Sequence, residues 1–184
     1  MTEKTVTLPK WAIVSEKRLA HIERVTSLLD RWSNELGLPR SDRQAWHDAG
    51  AWHDVYRDAS DDVLRAELGA DPRPVSILHG PAAAHRLERE GETRRDVLDA
   101  IRWHTLGNPD WGRTGRALFM ADFLEPGRQF MMEERARLAE RVPRDFDRVF
   151  QQVVRARLEW TLREGKPIFP ETVALWNHLR RSDA

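Results

Sequence analysis

Apolar residues recur at intervals of three or four along almost the whole chain, the spacing of helices with one buried face. The first run is Leu19, Ile22, Val25, Leu28, Leu29, Trp32 and Leu36, with Ser15 placed as an N-cap and Gly37 as a stop. A second helix is predicted from Ser41 through Trp46, Ala49, Trp52 and His53, and a short third one from Ser60 to Gly69. Two prolines within residues 71–76 make that stretch a loop, because proline cannot sit in a helix interior. Pro81 then reads as a first helical residue of a segment ending at Gly91, and Thr93 as the cap of a helix reaching His104. Beyond the loop at Gly107, helices are predicted over 114–124, after Pro143 along Phe146, Val149, Phe150, Val153, Val154 and Leu158, and from Pro170 through Trp176. No alternating run reads as a strand. The expected fold is all-α.

At 184 residues the chain is long enough for one domain with a real core, so residues 1–184 are expected to form a single unit. The core is placed at about 15–130 and C-terminal helices at about 144–181. Lysine plus arginine and aspartate plus glutamate both number 30, and this balance gives no support for a nucleic-acid partner. No stretch approaches the roughly 20 apolar residues of a membrane span, and the N-terminal residues lack the apolar core of a secretory signal. A cytoplasmic protein without a membrane partner is expected. There is no cysteine, which removes thiolate chemistry and iron–sulfur clusters. Any metal must then be held by imidazole and carboxylate, a ligand set suited to iron, manganese, zinc or nickel.

Such side chains occur as a spaced series: His21, the pair His53-Asp54, His79, His104 and Asp122. A second pair, His47-Asp48, lies six residues before the first. At about 100° per residue the two histidines face well apart on one helix. His53 shares its face with Ala49, Gly50 and Tyr56, whereas His47 shares its own with Arg43, Gln44 and Ala51. The first pair is therefore assigned to a site and the second to the solvated surface. Asp122 lies within ALFMADFL, where a carboxylate is costly unless paired or metal-bound. A lone His21 on a helix face would more often be a satisfied core histidine, and His79 or His104 alone could serve as a cap. An ordered set is harder to ascribe to chance.

The order His, His-Asp, His, His, Asp resembles the HD-domain metal-dependent phosphohydrolases, whose fold is a helical bundle. The words AGAWHD (49–54), LHGPAAAH (78–85), AIRWHTLGNP (100–109), ADFLEPGR (121–128) and PIFPETVALWN (167–177) are similar to those of the bacterial YqeK-type diadenosine tetraphosphate hydrolases. That resemblance implies symmetric hydrolysis of diadenosine tetraphosphate to two ADP, with hydroxide generated at a metal attacking an inner phosphate. It implies a divalent or trivalent metal, iron being the usual one, with manganese, nickel or zinc as alternatives. By position, His21, His53, Asp54 and Asp122 would be the ligands, and His79 and His104 could complete a second metal site. Arg18, Arg57, His79, His104, Thr105, Arg128 and Thr172 would lie against the nucleotide, with Asp54, Arg57 and His79 catalytic. Arg57 stands where the family usually has lysine. A small-molecule nucleotide is the expected partner, and a homodimer is left open. The alternatives are an HD enzyme acting on a nucleoside monophosphate or a guanosine alarmone, and a non-catalytic nucleotide-binding HD module.

Overall fold

A computed structural model describes residues 5–182. Among them there is no strand, and nine α-helices follow one another: α1 (Glu16–Glu35), α2 (Arg40–Trp52), α3 (Asp61–Leu68), α4 (His79–Arg89), α5 (Arg95–Trp103), α6 (Arg113–Leu124), α7 (Met132–Arg141), α8 (Phe146–Arg163) and α9 (Pro170–Ser182). The helix starts follow local chemistry. The Ser15 hydroxyl accepts from the Arg18 N–H at the head of α1, and Ser60 accepts from Val63 at the head of α3.

Several boundaries differ from the sequence expectation. α2 begins at Arg40, so Ser41 is already helical. A single 3₁₀ turn, Val75–Ile77, runs into α4, and Pro81 becomes its third residue. The proline is tolerated there because first-turn N–H groups have no partner within the helix. Thr93 does not cap α5; the Glu92 carboxylate instead accepts from the N–H groups of Thr93 and Arg94. Helix α7 lies in an interval for which no helix was expected. Its sequence, MEERARLAER, is mostly charged, and only Arg135, Leu138 and Ala139 are buried.

The centre of the bundle is α6, which is buried on nearly every side and packs on α1, α2, α5, α7 and α8. A helix apolar all round belongs in a core, and ALFMADFL is such a sequence. Two glycines bring flanking helices unusually close. A Cβ on Gly50 of α2 would lie 2.8 Å from Leu29 Cδ1 and 3.1 Å from the Thr26 Cα on α1. A Cβ on Gly80 of α4 would lie 2.6 Å from the Ile101 carbonyl oxygen on α5. These two contacts set the spacing of the helices that carry the histidines. No helix among the described residues is long and apolar enough to cross a membrane.

Candidate metal centre

The residues of the spaced series come together although more than a hundred positions separate His21 from Asp122. They form two adjoining triads, His21–His53–Asp122 and Asp54–His79–His104, each with ligand atoms within 4.8 Å of one another. All six residues are buried. Asp54 joins the triads. Its Oδ1 lies 3.2 Å from His79 Nε2 and 3.3 Å from His104 Nε2, while Oδ2 lies 3.6 Å from His21 Nε2 and 3.7 Å from His53 Nε2.

The backbone decides which ring nitrogens face inward. His53 Nδ1–H donates to the Gly50 carbonyl at 2.7 Å, and His104 Nδ1–H donates to the Ile101 carbonyl at 2.7 Å. Each bond leaves an Nε2 lone pair directed into the site. These nitrogens meet others of the same kind, since His53 Nε2 is 3.3 Å from His21 Nε2 and His104 Nε2 is 3.1 Å from His79 Nε2. Facing lone pairs repel unless a proton or cation lies between them. The buried His79 Nδ1 has no hydrogen-bond partner, so nothing in the protein fixes its tautomer. The residues therefore fit a metal held by nitrogen and oxygen donors.

Charges around the triads are strongly coupled. Burial lowers the His21 pKa, but hydrogen bonds to Asp122 and Glu125 outweigh it and raise the value to about 9. His53, fully enclosed, is pushed down to about 4 by burial. Burial works against ionisation of Asp54, yet His53, His104 and His79 hold it well below the usual carboxylate range. Burial likewise opposes the charge on Asp122, which Arg128, His21 and Arg157 keep ionised. Arg18 Nη1 pairs with Asp54 Oδ2 at 2.6 Å, and Arg128 Nη2 pairs with Asp122 Oδ1 at 2.6 Å. The Thr105 hydroxyl lies 3.4 Å from His79 Nε2 and 3.3 Å from His104 Nε2.

Two expected residues stand apart. Arg57 is exposed and forms no ion pair with the described residues, although its charge contributes to lowering the His79 pKa. Thr172 donates to the Leu106 carbonyl at 2.8 Å and thus ties α9 to the turn after His104, without contact to either triad. The expectation of a solvated His47-Asp48 is corrected, because both residues are buried. Helix α2 is enclosed from Ala45 to Ala51, so no face of that stretch is free for water. The difference in direction holds: His47 Nδ1 meets Asp30 at 3.0 Å, and Asp48 pairs with Arg94 at 2.8 Å.

Two further residues were not anticipated. Glu125, one turn after Asp122, is buried and accepts from His21 Nδ1 at 3.2 Å, from Arg24 Nε and from the Gly127 N–H. Burial opposes its ionisation, but these donors bring its pKa to about 2. Arg157 of α8 donates to Asp122 Oδ2 at 3.2 Å and to the Thr105 carbonyl at 3.3 Å, with its guanidinium 4.2 Å over the Phe119 ring. The signal for Arg157 was an arginine on the apolar stripe of α8, three and four residues beyond Val154 and Val153. For Glu125 it was the spacing of three from Asp122, which places both side chains on one side of the chain.

Comparison with known proteins agrees with this geometry. The HD-domain profile matches residues 18–141, the segment that carries both triads. The chain belongs to the HD-domain family. A curated relative from Bacillus subtilis, named symmetrical bis(5'-nucleosyl)-tetraphosphatase, is 26% identical over 175 residues, 90% of this chain and 91% of that one. A protein of the same name from Halalkalibacterium halodurans is 34% identical over 104 residues, 56% of this chain and 54% of its own length. The HD fold is also that of a crystal structure from Clostridium acetobutylicum, described as a predicted HD superfamily hydrolase involved in NAD metabolism. It superposes with a TM-score of 0.78 at 21% identity, covering 92% of each chain. Arg157 lies beyond the HD match, on a helix that closes over it.

Proposed function

We propose that this HD-domain protein is a metal-dependent hydrolase that splits diadenosine tetraphosphate symmetrically into two ADP. The observation that carries the reading is the pair of triads joined by Asp54, one carboxylate oxygen facing each. The substrate follows from the tetraphosphatase relatives.

His21, His53, Asp54 and Asp122 would hold the first metal, iron being our assignment among the metals these donors suit. Such a metal supplies Lewis acidity and lowers the pKa of water towards neutrality. Burial pushes the His79 pKa down, and the His104 Nδ1–H is committed to a carbonyl, which turns the His104 Nε2 to the site beside the His79 Nε2. This favours a second metal on Asp54, His79 and His104 over protonated phosphate contacts. Arg18 and Arg128, now paired with Asp54 and Asp122, sit where they can turn to phosphate oxygens as negative charge gathers there. Arg57, exposed beside the His79 side, is free to meet a phosphate from solvent, and Thr105 offers a hydroxyl between the two imidazoles. Thr172 we reassign from nucleotide contact to holding the Thr105–Leu106 turn.

Metal analysis of freshly purified protein, with chromatography of products from a panel of dinucleoside polyphosphates, tests the reading. Bound iron and ADP as the sole product are expected from diadenosine tetraphosphate. Release of inorganic phosphate from a nucleoside monophosphate would instead identify a nucleotidase. Metal-free protein with no turnover on any member would refute the enzyme.

A further inference from the structure

Trp160 has no role in the core. It is half-buried on α8 and lies outside the hydrophobic cluster and the side chains packed against it. Its ring is nevertheless held in a defined setting. Phe130 stacks near it at 6.4 Å between centroids and 19° between planes, and the Lys166 ammonium sits 4.0 Å over the indole. Both connections lead to the metal centre. Phe130 follows by two residues Arg128, the partner of Asp122. Arg157, three residues before Trp160, reaches the other oxygen of Asp122 and the carbonyl of Thr105. Residues three apart on a helix are neighbours, about 5–6 Å between Cβ atoms. Trp160 thus neighbours Arg157 on α8, the helix whose arginine reaches the carboxylate.

A nucleotide carries its charge at one end and a flat π surface at the other. We infer that Trp160 is a nucleobase platform: the phosphates lie against the arginines at Asp122 while the adenine stacks on the indole, in the place now taken by the exposed Lys166 side chain. This rests on the proposal that the substrate is a nucleotide, and it adds the residue that recognises its base. Stacking on an aromatic side chain is tolerant of base identity, so the platform would favour nucleosides over bare polyphosphate without strict selection for adenine.

Calorimetry on metal-loaded protein with ADP and with pyrophosphate separates base from phosphate. Trp160→Ala should weaken ADP about tenfold and leave pyrophosphate within about twofold, the lower end of what a stacked base contributes. Trp160→Phe should keep most of the ADP affinity, which a role confined to packing on Phe130 would not require. In turnover, Trp160→Ala should raise KM for diadenosine tetraphosphate with little change in kcat. Unchanged ADP binding in Trp160→Ala, equal weakening of both ligands, or no ADP binding by the unaltered protein overturns the platform. The two readings fail separately. ADP binding that depends on Trp160, without cleavage of the tetraphosphate, would sink the hydrolase alone. Symmetric cleavage indifferent to Trp160 would sink the platform alone.

Discussion

Helix α2 carries one His-Asp pair and a second follows just past its C-terminus, and the difference between them defines the site. Both pairs are buried. His47 and Asp48 each meet an opposite or complementary group, Asp30 for the imidazole and Arg94 with Gln44 for the carboxylate. His47 Nδ1 and both oxygens of Asp48 are thus taken up within the protein. His53 and Asp54, one and a half turns further on, turn into a space shared with three more imidazoles and a second carboxylate. There the lone pairs face one another, and Asp54 has more basic neighbours than it can satisfy at close range. Burial therefore does not distinguish a structural His-Asp pair from a chemical one; leftover donor capacity does.

The sharpest way to break the comparison is to remove each carboxylate in turn. Asp54→Ala should abolish both metal retention and turnover, because the oxygen bridge between the triads disappears. Asp48→Ala should keep both and lose only about 1 kcal/mol of stability, since Arg94 is partly exposed and retains Glu92. Metal content and urea midpoints of the two variants check this; comparable metal loss in both would erase the distinction.

A backbone change should act nearly as strongly. In Gly80→Ala the new methyl meets a carbonyl oxygen, so α4 and α5 must part and carry His79 away from His104. Overpacking of this kind costs about 1–3 kcal/mol. We expect lowered metal occupancy after dialysis together with a lower unfolding midpoint. Normal occupancy would mean that the His79–His104 approach does not depend on this contact.

Glu125 sharpens the comparison at the level of a single imidazole, since it does for His21 what Asp30 does for His47. Replacing a carboxylate behind a liganding histidine typically costs 10- to 100-fold in metal affinity or activity. Glu125→Ala should fall in that range, and Glu125→Gln, which can still accept from Nδ1–H, should fall less. Metal titration of the chelated protein measures both.

The smallest expected effect is a pH dependence in the metal-free protein. His21 in the folded state has a pKa of about 9, above its ordinary 6.5. A raised folded-state pKa means that the stabilisation is complete below about pH 6.5 and is lost as pH rises towards 9. The urea midpoint of chelated protein should fall across that window, and His21→Ala should flatten this part of the profile. A midpoint that rises from pH 6.5 to 9 would contradict the assigned contacts.

Much of this organisation was legible in the chain. Ser15 and Ser60 mark helix starts because a side-chain oxygen satisfies a backbone N–H locally. Asp122 among apolar neighbours announced a buried carboxylate, and the angle between His47 and His53 separated their directions correctly. Helix α7 was not legible, because its stability comes from contacts that a charged sequence does not display. Arg135 shows the reason: it is buried on α7, and its guanidinium donates to the carbonyls of Phe123, Glu125, Arg128 and Phe130, bracing the loop that carries Glu125 and Arg128. The supposed exposure of His47 failed for a related reason, since a helical wheel assumes one free face and α2 has none over that stretch.

The sequence by itself determined every described helix but α7, the absence of thiol chemistry and the six side chains able to hold a metal, because spacing and residue type are local properties. Only the tertiary structure decided how those six divide into two triads and that Asp54, a member of one, turns its other oxygen to the second. It also decided that Glu125 and Arg157 support them from a turn and from a distant helix. Those outcomes depend on how closely α1, α2, α4, α5 and α6 approach one another, and helix approach is set by packing at positions such as Gly50 and Gly80 rather than by the ligands' own order along the chain.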